Sequence, residues 1–224
     1  MSMTGAGVQA LIAQGLGVAA QSVGIPYTQY RPSGTSLDDP IVSANILGPI
    51  NALFTQSKGM SPKGWAAQAK SDVPFWYFIA DLSAVNEGDY LVGDYTYGIV
   101  TMQTLMMPMA LRCPDTVTIQ RGASTFSATE GYTQGLTTIF ASLPASISVK
   151  RDKGFSRPPG FPAPSETPTP MPMYDITVIP AIPDGAILTG DMITDQTGQQ
   201  YRVDAAVWRP TGYYLNCGPY VATA

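Results

Sequence analysis

Between Val8 and Val23 the apolar residues Val8, Leu11, Ile12, Leu16, Ala19, Ala20 and Val23 recur largely at steps of three and four, the spacing of one helix face. Gly15 and Gly17 each weaken a helix by about 1 kcal/mol against alanine, so the expected helix is stable only when docked. The following IPYTQYRPSGTSLDDP is polar and punctuated by proline, and reads as a loop without regular structure. Ile41 to Phe54, interrupted by Asn45, Gly48 and Pro49, reads as a broken strand or a short helix. Residues 1–70 are therefore expected to form an extended arm with a short helix and apolar anchor points.

From residue 71 the period changes. Phe75 to Ile79 is an aromatic and branched run of the kind found in a buried strand. Further strands are expected at Tyr90–Val92, Tyr97–Met102, Met109–Arg112 and Thr116–Gln120, separated by Gly, Pro and Asp. Thr138–Val149 continues the series, with Pro144 confining it to an edge or a bend. GFSRPPGFPAPSETPTPMPM, from Gly154 to Met173, carries seven prolines and reads as a semi-rigid spacer or strap. The expected organisation is an arm over 1–70, a first β domain over 71–153, the strap over 154–173 and a second β unit over 174–224. The fold class is mainly β, with two small barrel- or sandwich-like units.

A tandem repeat supports two units. GDYLVGDYTYGIVTMQTLMMPMALRC, from Gly88 to Cys113, lines up with GDMITDQTGQQYRVDAAVWRPTGYYLNC, from Gly190 to Cys217. Tyr97 and Cys113 are separated by 16 positions, as are Tyr201 and Cys217. The second copy reads as a β-meander: Ile187–Thr194, Tyr201–Trp208 and Tyr213–Cys217. The two cysteines then end matching strands, where small apolar side chains face a core, and both are expected as buried free thiols. Each Gly-Asp pair reads as turn chemistry, with Gly supplying an unusual φ and Asp bonding its own turn.

Composition narrows the chemistry. Only 28 of 224 residues are charged, and the net charge is −4. A compact monomer of this mass exposes on the order of 9,900 Å², which leaves its surface thinly charged. The absence of histidine removes Ser-His-Asp and Cys-His catalysis and histidine-ligated metals. The acidic balance, with Lys58, Lys63 and Lys70 scattered through a Gly/Ser/Pro context, opposes nucleic-acid binding. The first 24 residues lack Lys and Arg, so no secretory n-region is read there, and no apolar run reaches the roughly 20 residues of a membrane span. Asp38 and Asp39 are adjacent and diverge as extended residues, so any acid-base pair must come from the fold. The aromatics Trp65, Trp76, Trp208, Tyr27 and Tyr30 could stack on a sugar ring, which keeps a receptor- or carbohydrate-binding module as the alternative function. A carboxylate hydrolase is a third reading. No cofactor and no metal are expected.

The signature GDMITDQTGQQYRVDAAVW with its hairpin to YYLNC, and the earlier GDYLVGDYTYGIVTMQTLMMPMALRC, resemble the small β-barrels of tailed-bacteriophage neck, tail-terminator and baseplate proteins. The resemblance covers these two pieces of the chain and implies an oligomeric ring or trimer on the tail axis, with arms that reach neighbouring subunits. The expected function is a non-enzymatic virion structural protein of the head-tail connector, tail or baseplate, made in the host cytoplasm, with itself and other virion proteins as partners. Composition points the same way, because interface cores are poor in Lys, Glu and Asp and rich in Tyr and Met, and the chain has 12 Tyr and 10 Met. Candidate assembly residues are Val8, Leu11, Ile12 and Leu16 on the helix, and Met106, Met107 and Met109 around Pro108.

Overall fold

Two closed six-stranded barrels follow one another along the chain. A computed structural model describes residues 5–33, 39–55, 75–102, 107–127, 131–150, 173–179, 182–209 and 211–220. A helix, α1 (Gly5–Val23), precedes β1 (Ile25–Tyr30), β2 (Ile46–Thr55), β3 (Phe75–Ile79), β4 (Tyr90–Val92), β5 (Thr96–Thr101) and β6 (Met109–Cys113). These strands close in the order β1-β2-β3-β6-β5-β4. After a single residue come β7 (Asp115–Ser127), β8 (Gly131–Lys150), β9 (Met173–Val178), β10 (Met192–Asp195), β11 (Gln200–Arg209) and β12 (Gly212–Pro219). They close as β7-β8-β9-β12-β11-β10, the same topology with every pairing antiparallel. The chain is mainly β, with two small barrels and a helix at its N-terminal side, as the alternation and the repeat suggest.

The division of the chain differs from the one expected. Residues 25–55 are not an arm, since β1 and β2 are two staves of the first barrel. Likewise β7 and β8 lie in the second barrel, so the boundary falls at residue 114 and not near 153. The segment read as a loop becomes a strand because Tyr27 and Gln29 alternate into the barrel and are buried. β4 pairs with β1 only from Thr28 onward, so Pro26 sits where one flank of the strand is open, a position at which a missing N–H is tolerated. The Pro-rich strap (154–172), Asp38, Trp65 and Met106 lie outside the described residues.

Each barrel has its own core. The first is aromatic: Tyr27, Phe54, Phe78 and Tyr97 pack together, with Phe54 stacked on Tyr97 at 3.6 Å and Tyr27 edge-on to both. The second is largely aliphatic, built on Val117, Ile119, Leu143, Ile176, Ile193, Val203 and Leu215. A third cluster lies between them. Tyr90, Val100, Leu111 and Cys113 alternate with inward residues and form the outer face of the first barrel, where Ile179, just after β9, is buried with them. Gly98 makes the close approach possible, since a Cβ there would run into the Ile179 side chain.

α1 docks on β2 and β3, but through its small residues and not through the large apolar ones that the periodicity suggests. Gly17 and Ala20 are buried and Gly17 lies against Asp81, whereas Leu11, Ile12, Val18 and Val23 point to solvent. Small residues allow the helix backbone to approach the barrel closely, which leaves the large apolar ones outside.

Candidate assembly interface

The repeat has a chemical centre that equal spacing does not reveal. Gly88 and Gly190 adopt φ of 89° and 94°, a region that glycine enters without steric cost. Each Gly N–H donates to the strand opposite, Gly88 to Ile99 and Gly190 to Val203, and the same two residues donate back to the carbonyls of Asp89 and Asp191. The carboxylates that follow are buried. Asp89 accepts the Asn86 N–H at 2.7 Å, and Asp191 accepts the Leu188 N–H at 2.8 Å. An arginine then grips each one. Arg31 places Nε and Nη2 at 2.8 Å from the two oxygens of Asp89, and Arg121 does the same to Asp191. The spare capacity of each fork goes to the carbonyl of Ala84 or Ala186. Hydrogen bonding to the carboxylate is the largest cause raising the pKa of both guanidinium groups. The turn reading of Gly-Asp is correct as far as it goes, but the arginines, each far from its aspartate along the chain, are what tie the turn to β1 and β7.

The cysteines correct the repeat in one respect. Both are free and buried, yet they are not equivalent. Tyr97 pairs with Arg112, just before Cys113, whereas Tyr201 pairs with Pro219, beyond Cys217. The two registers thus differ by an odd offset, and an odd offset turns a side chain to the other face. Cys217 therefore lies in the second core, opposite Val203, while Cys113 lies outside the first barrel in the seam with Ile179.

Buried ionisable groups give the protein an alkaline limit. Burial pushes the Cys113 and Cys217 thiols up to about 12 from the ordinary 9.0, and the Tyr27 phenol to about 12 from 10.0. Burial raises Tyr90 and Tyr201 as well, the latter helped by its bond to Asp195. From about pH 9 the unfolded chain releases protons that the folded chain retains. The stability that these groups contribute is thus complete below about pH 9 and falls by about 1.4 kcal/mol per pH unit for each retained proton as pH rises toward 12. Urea midpoints at pH 7.5 and 10.5 check this, and equal midpoints would contradict it. Tyr90 also carries a buried hydroxyl with no hydrogen-bond partner among the described residues. Tyr90→Phe is expected to raise stability by about 1 kcal/mol in the same assay, because it removes a desolvated group that has no partner.

Asp115 and Asp195 are carboxylates whose pKa values the fold moves in opposite directions. Burial first, and then Asp195, raise Asp115 against the bond from Ile147 N–H. Burial also opposes charge on Asp195, but bonds from Thr197, Tyr201 and Gln199 outweigh it and lower its pKa. Those bonds fold the turn from β10 to β11, which makes Asp195 a turn organiser. A hollow of about 360 Å³ opens elsewhere, between Phe75 of the first barrel and Thr177, Val207, Arg209 and Tyr214 of the second. Tyr27 stands in a core and not on a concave face. Trp208 is half exposed, but its indole N–H donates to the Ile182 carbonyl, and it does not line that hollow. Among the described residues no group of three or more His, Cys, Asp and Glu is placed to hold a metal ion, and no helix is long and apolar enough to cross a membrane.

The candidate assembly residues are only partly brought together. Leu11 and Ile12 are exposed on α1, Val8 and Leu16 are half-buried, and Met107 and Met109 are half-buried at the start of β6. Leu136, Val149, Leu188, Val207 and Tyr220 of the second barrel are exposed as well, none of them singled out by periodicity. The chain matches no family model, and comparison with curated proteins and with solved structures returned no match.

Proposed function

We propose that this chain is a non-enzymatic structural protein that works by assembling with copies of itself. The observation that carries this reading is α1, a 19-residue helix without a single charged residue. It buries glycine and alanine while turning Leu11, Ile12, Val18 and Val23 to solvent, Val18 being 60% exposed. Four large apolar side chains exposed along one helix mark an interaction site. On the resemblance of its repeat to phage β-barrels, the assembly belongs to the head-tail connector, tail or baseplate of a tailed phage, and the chain acts in the virion as a ring or trimer with other virion proteins. The receptor- or sugar-binding alternative has lost Tyr27 as a stacking platform.

Light scattering on the size-separated full chain, together with mass analysis of purified particles, tests the proposal. An oligomer whose mass falls toward the protomer in Leu11→Ser/Val18→Ser is the expected result. A compact monomer that is absent from particles would sink it.

A further inference from the structure

β7 and β8 leave the second barrel together. β10 pairs with β7 only over Val117–Gln120, and β9 with β8 only over Ala145–Lys150. The β7–β8 ladder nevertheless runs on from Arg121↔Thr137 to Ser127↔Gly131. These further pairs project roughly 20 Å at about 3.4 Å per residue. The first barrel shows that closure does not need them. There β1 ends at Tyr30, which pairs with Tyr90 as Gln120 pairs with Met192, and the next described strand begins at Ile46. The ribbon is therefore an addition to the second copy of the fold.

Its physical position is exposed. A lone two-stranded ribbon is marginally stable in water, and beyond the barrel neither outer edge has a ladder partner among the described strands. Proteins usually guard such edges with lysine, proline or a bulge. Between Gly122 and Leu143 the only charged residue is Glu130, in the connection between the strands, and there is no proline. The barrels themselves are closed, and the stretch of β11 beyond Val203 that lacks a partner on its β10 side carries Asp204 and Arg209, charges of the kind that guard an edge. What complements a ribbon edge on another copy is thus another ribbon. Pairing like edges about a two-fold would leave the opposite edges open. Pairing the β7 edge of one copy with the β8 edge of the next satisfies both and continues until the ring closes, the arrangement that abolishes edges.

We propose that the β7–β8 ribbons of neighbouring copies join head to tail, β7 edge to β8 edge, into one continuous β-wall to which each copy gives two strands. This rests on the proposal that the chain assembles with itself, and it names a second element, beside α1, through which it does so.

Two measurements test it. In the first, residues 122–136 are replaced by Asn-Gly, a two-residue turn suited to the Arg121↔Thr137 pair. The variant should keep its strand circular dichroism and its melting temperature but scatter light as a protomer, while the full chain scatters as an oligomer. A variant that still assembles overturns the ribbon proposal alone; a full chain that is monomeric overturns the assembly reading with it. In the second, Gly122→Cys and Leu136→Cys copies of different tagged mass are mixed and oxidised, so that a disulfide joins only thiols on adjacent strands and not those two strands away. A Cβ at Gly122 meets open space, Leu136 is exposed and both native thiols are buried. Head-to-tail joining gives cross-links between the two variants and none within either. Dimers from Leu136→Cys alone would overturn it in favour of a two-fold.

Discussion

Arg121→Ala lowers the unfolding free energy by about 3 kcal/mol, near the bottom of the range for leaving a buried charge without its partner, because the guanidinium itself is about a third exposed. Among the described residues, only the Leu188 N–H then satisfies the buried Asp191. Arg31→Ala has a smaller effect, about 2 kcal/mol. In the first barrel Gln29 Nε2 also donates to Asp89, at 2.7 Å, so its carboxylate keeps a second donor. Ile119 takes that place in the second barrel and donates nothing, since Gln29 and Ile119 both precede the strand residue that pairs beside the Gly-Asp turn. Lysine restores little at either position, because a single ammonium cannot span both carboxylate oxygens and the neighbouring carbonyl. Denaturant unfolding of the four variants checks the order. Equal losses for Arg31→Ala and Arg121→Ala would show that Gln29 contributes nothing.

Gly98→Val costs about 3 kcal/mol, at the upper end for overpacking. A Cβ on Gly98 lies 2.9 Å from Ile179 Cδ1 and 3.2 Å from Ile179 Cβ, so more than the tip of that side chain must move. Ile179→Ala alone is destabilising by about 2–5 kcal/mol through the cavity it opens. Together the two should cost clearly less than their sum, because the valine fills the space that the isoleucine vacates. The double-mutant cycle is the measurement. Strict additivity would mean that the barrels are not held at this point.

The sequence reveals some of this architecture and hides the rest for identifiable reasons. Tyr97 and Tyr201, and the Gly-Asp pairs before them, are local marks of a strand and its turn, so the repeat is visible. The matching halves at β1–β2 and β7–β8 are not, because Pro26 and Gln29 disguise a stave whose partners, β2 and β4, are remote along the chain. Arg31 and Arg121 look like ordinary surface cations until closure brings them to the turns. The cysteines are legible as buried free thiols but not as unlike positions, since equal spacing along the chain meets hairpins of unequal length. α1 is legible as a helix, but its burial is decided by how closely Gly17 and Ala20 let it approach, and that depends on a surface periodicity cannot see. The exposed side of α1 is therefore half legible, through Leu11 and Ile12, and the ribbon not at all.

The seam also sets an order of events during synthesis. The first barrel is complete at Cys113, yet the residue that covers its outer face, Ile179, lies 66 positions later. At about 5–20 residues per second the ribosome needs roughly 3–13 s to deliver it. For that interval Tyr90, Val100 and Leu111 form a finished barrel's uncovered apolar wall, on a nascent chain whose neighbours on the same message carry the same wall. Chaperone capture or premature association between nascent chains is most expected in this window, and codon changes that slow translation between residues 114 and 179 should lower the soluble yield without altering the protein.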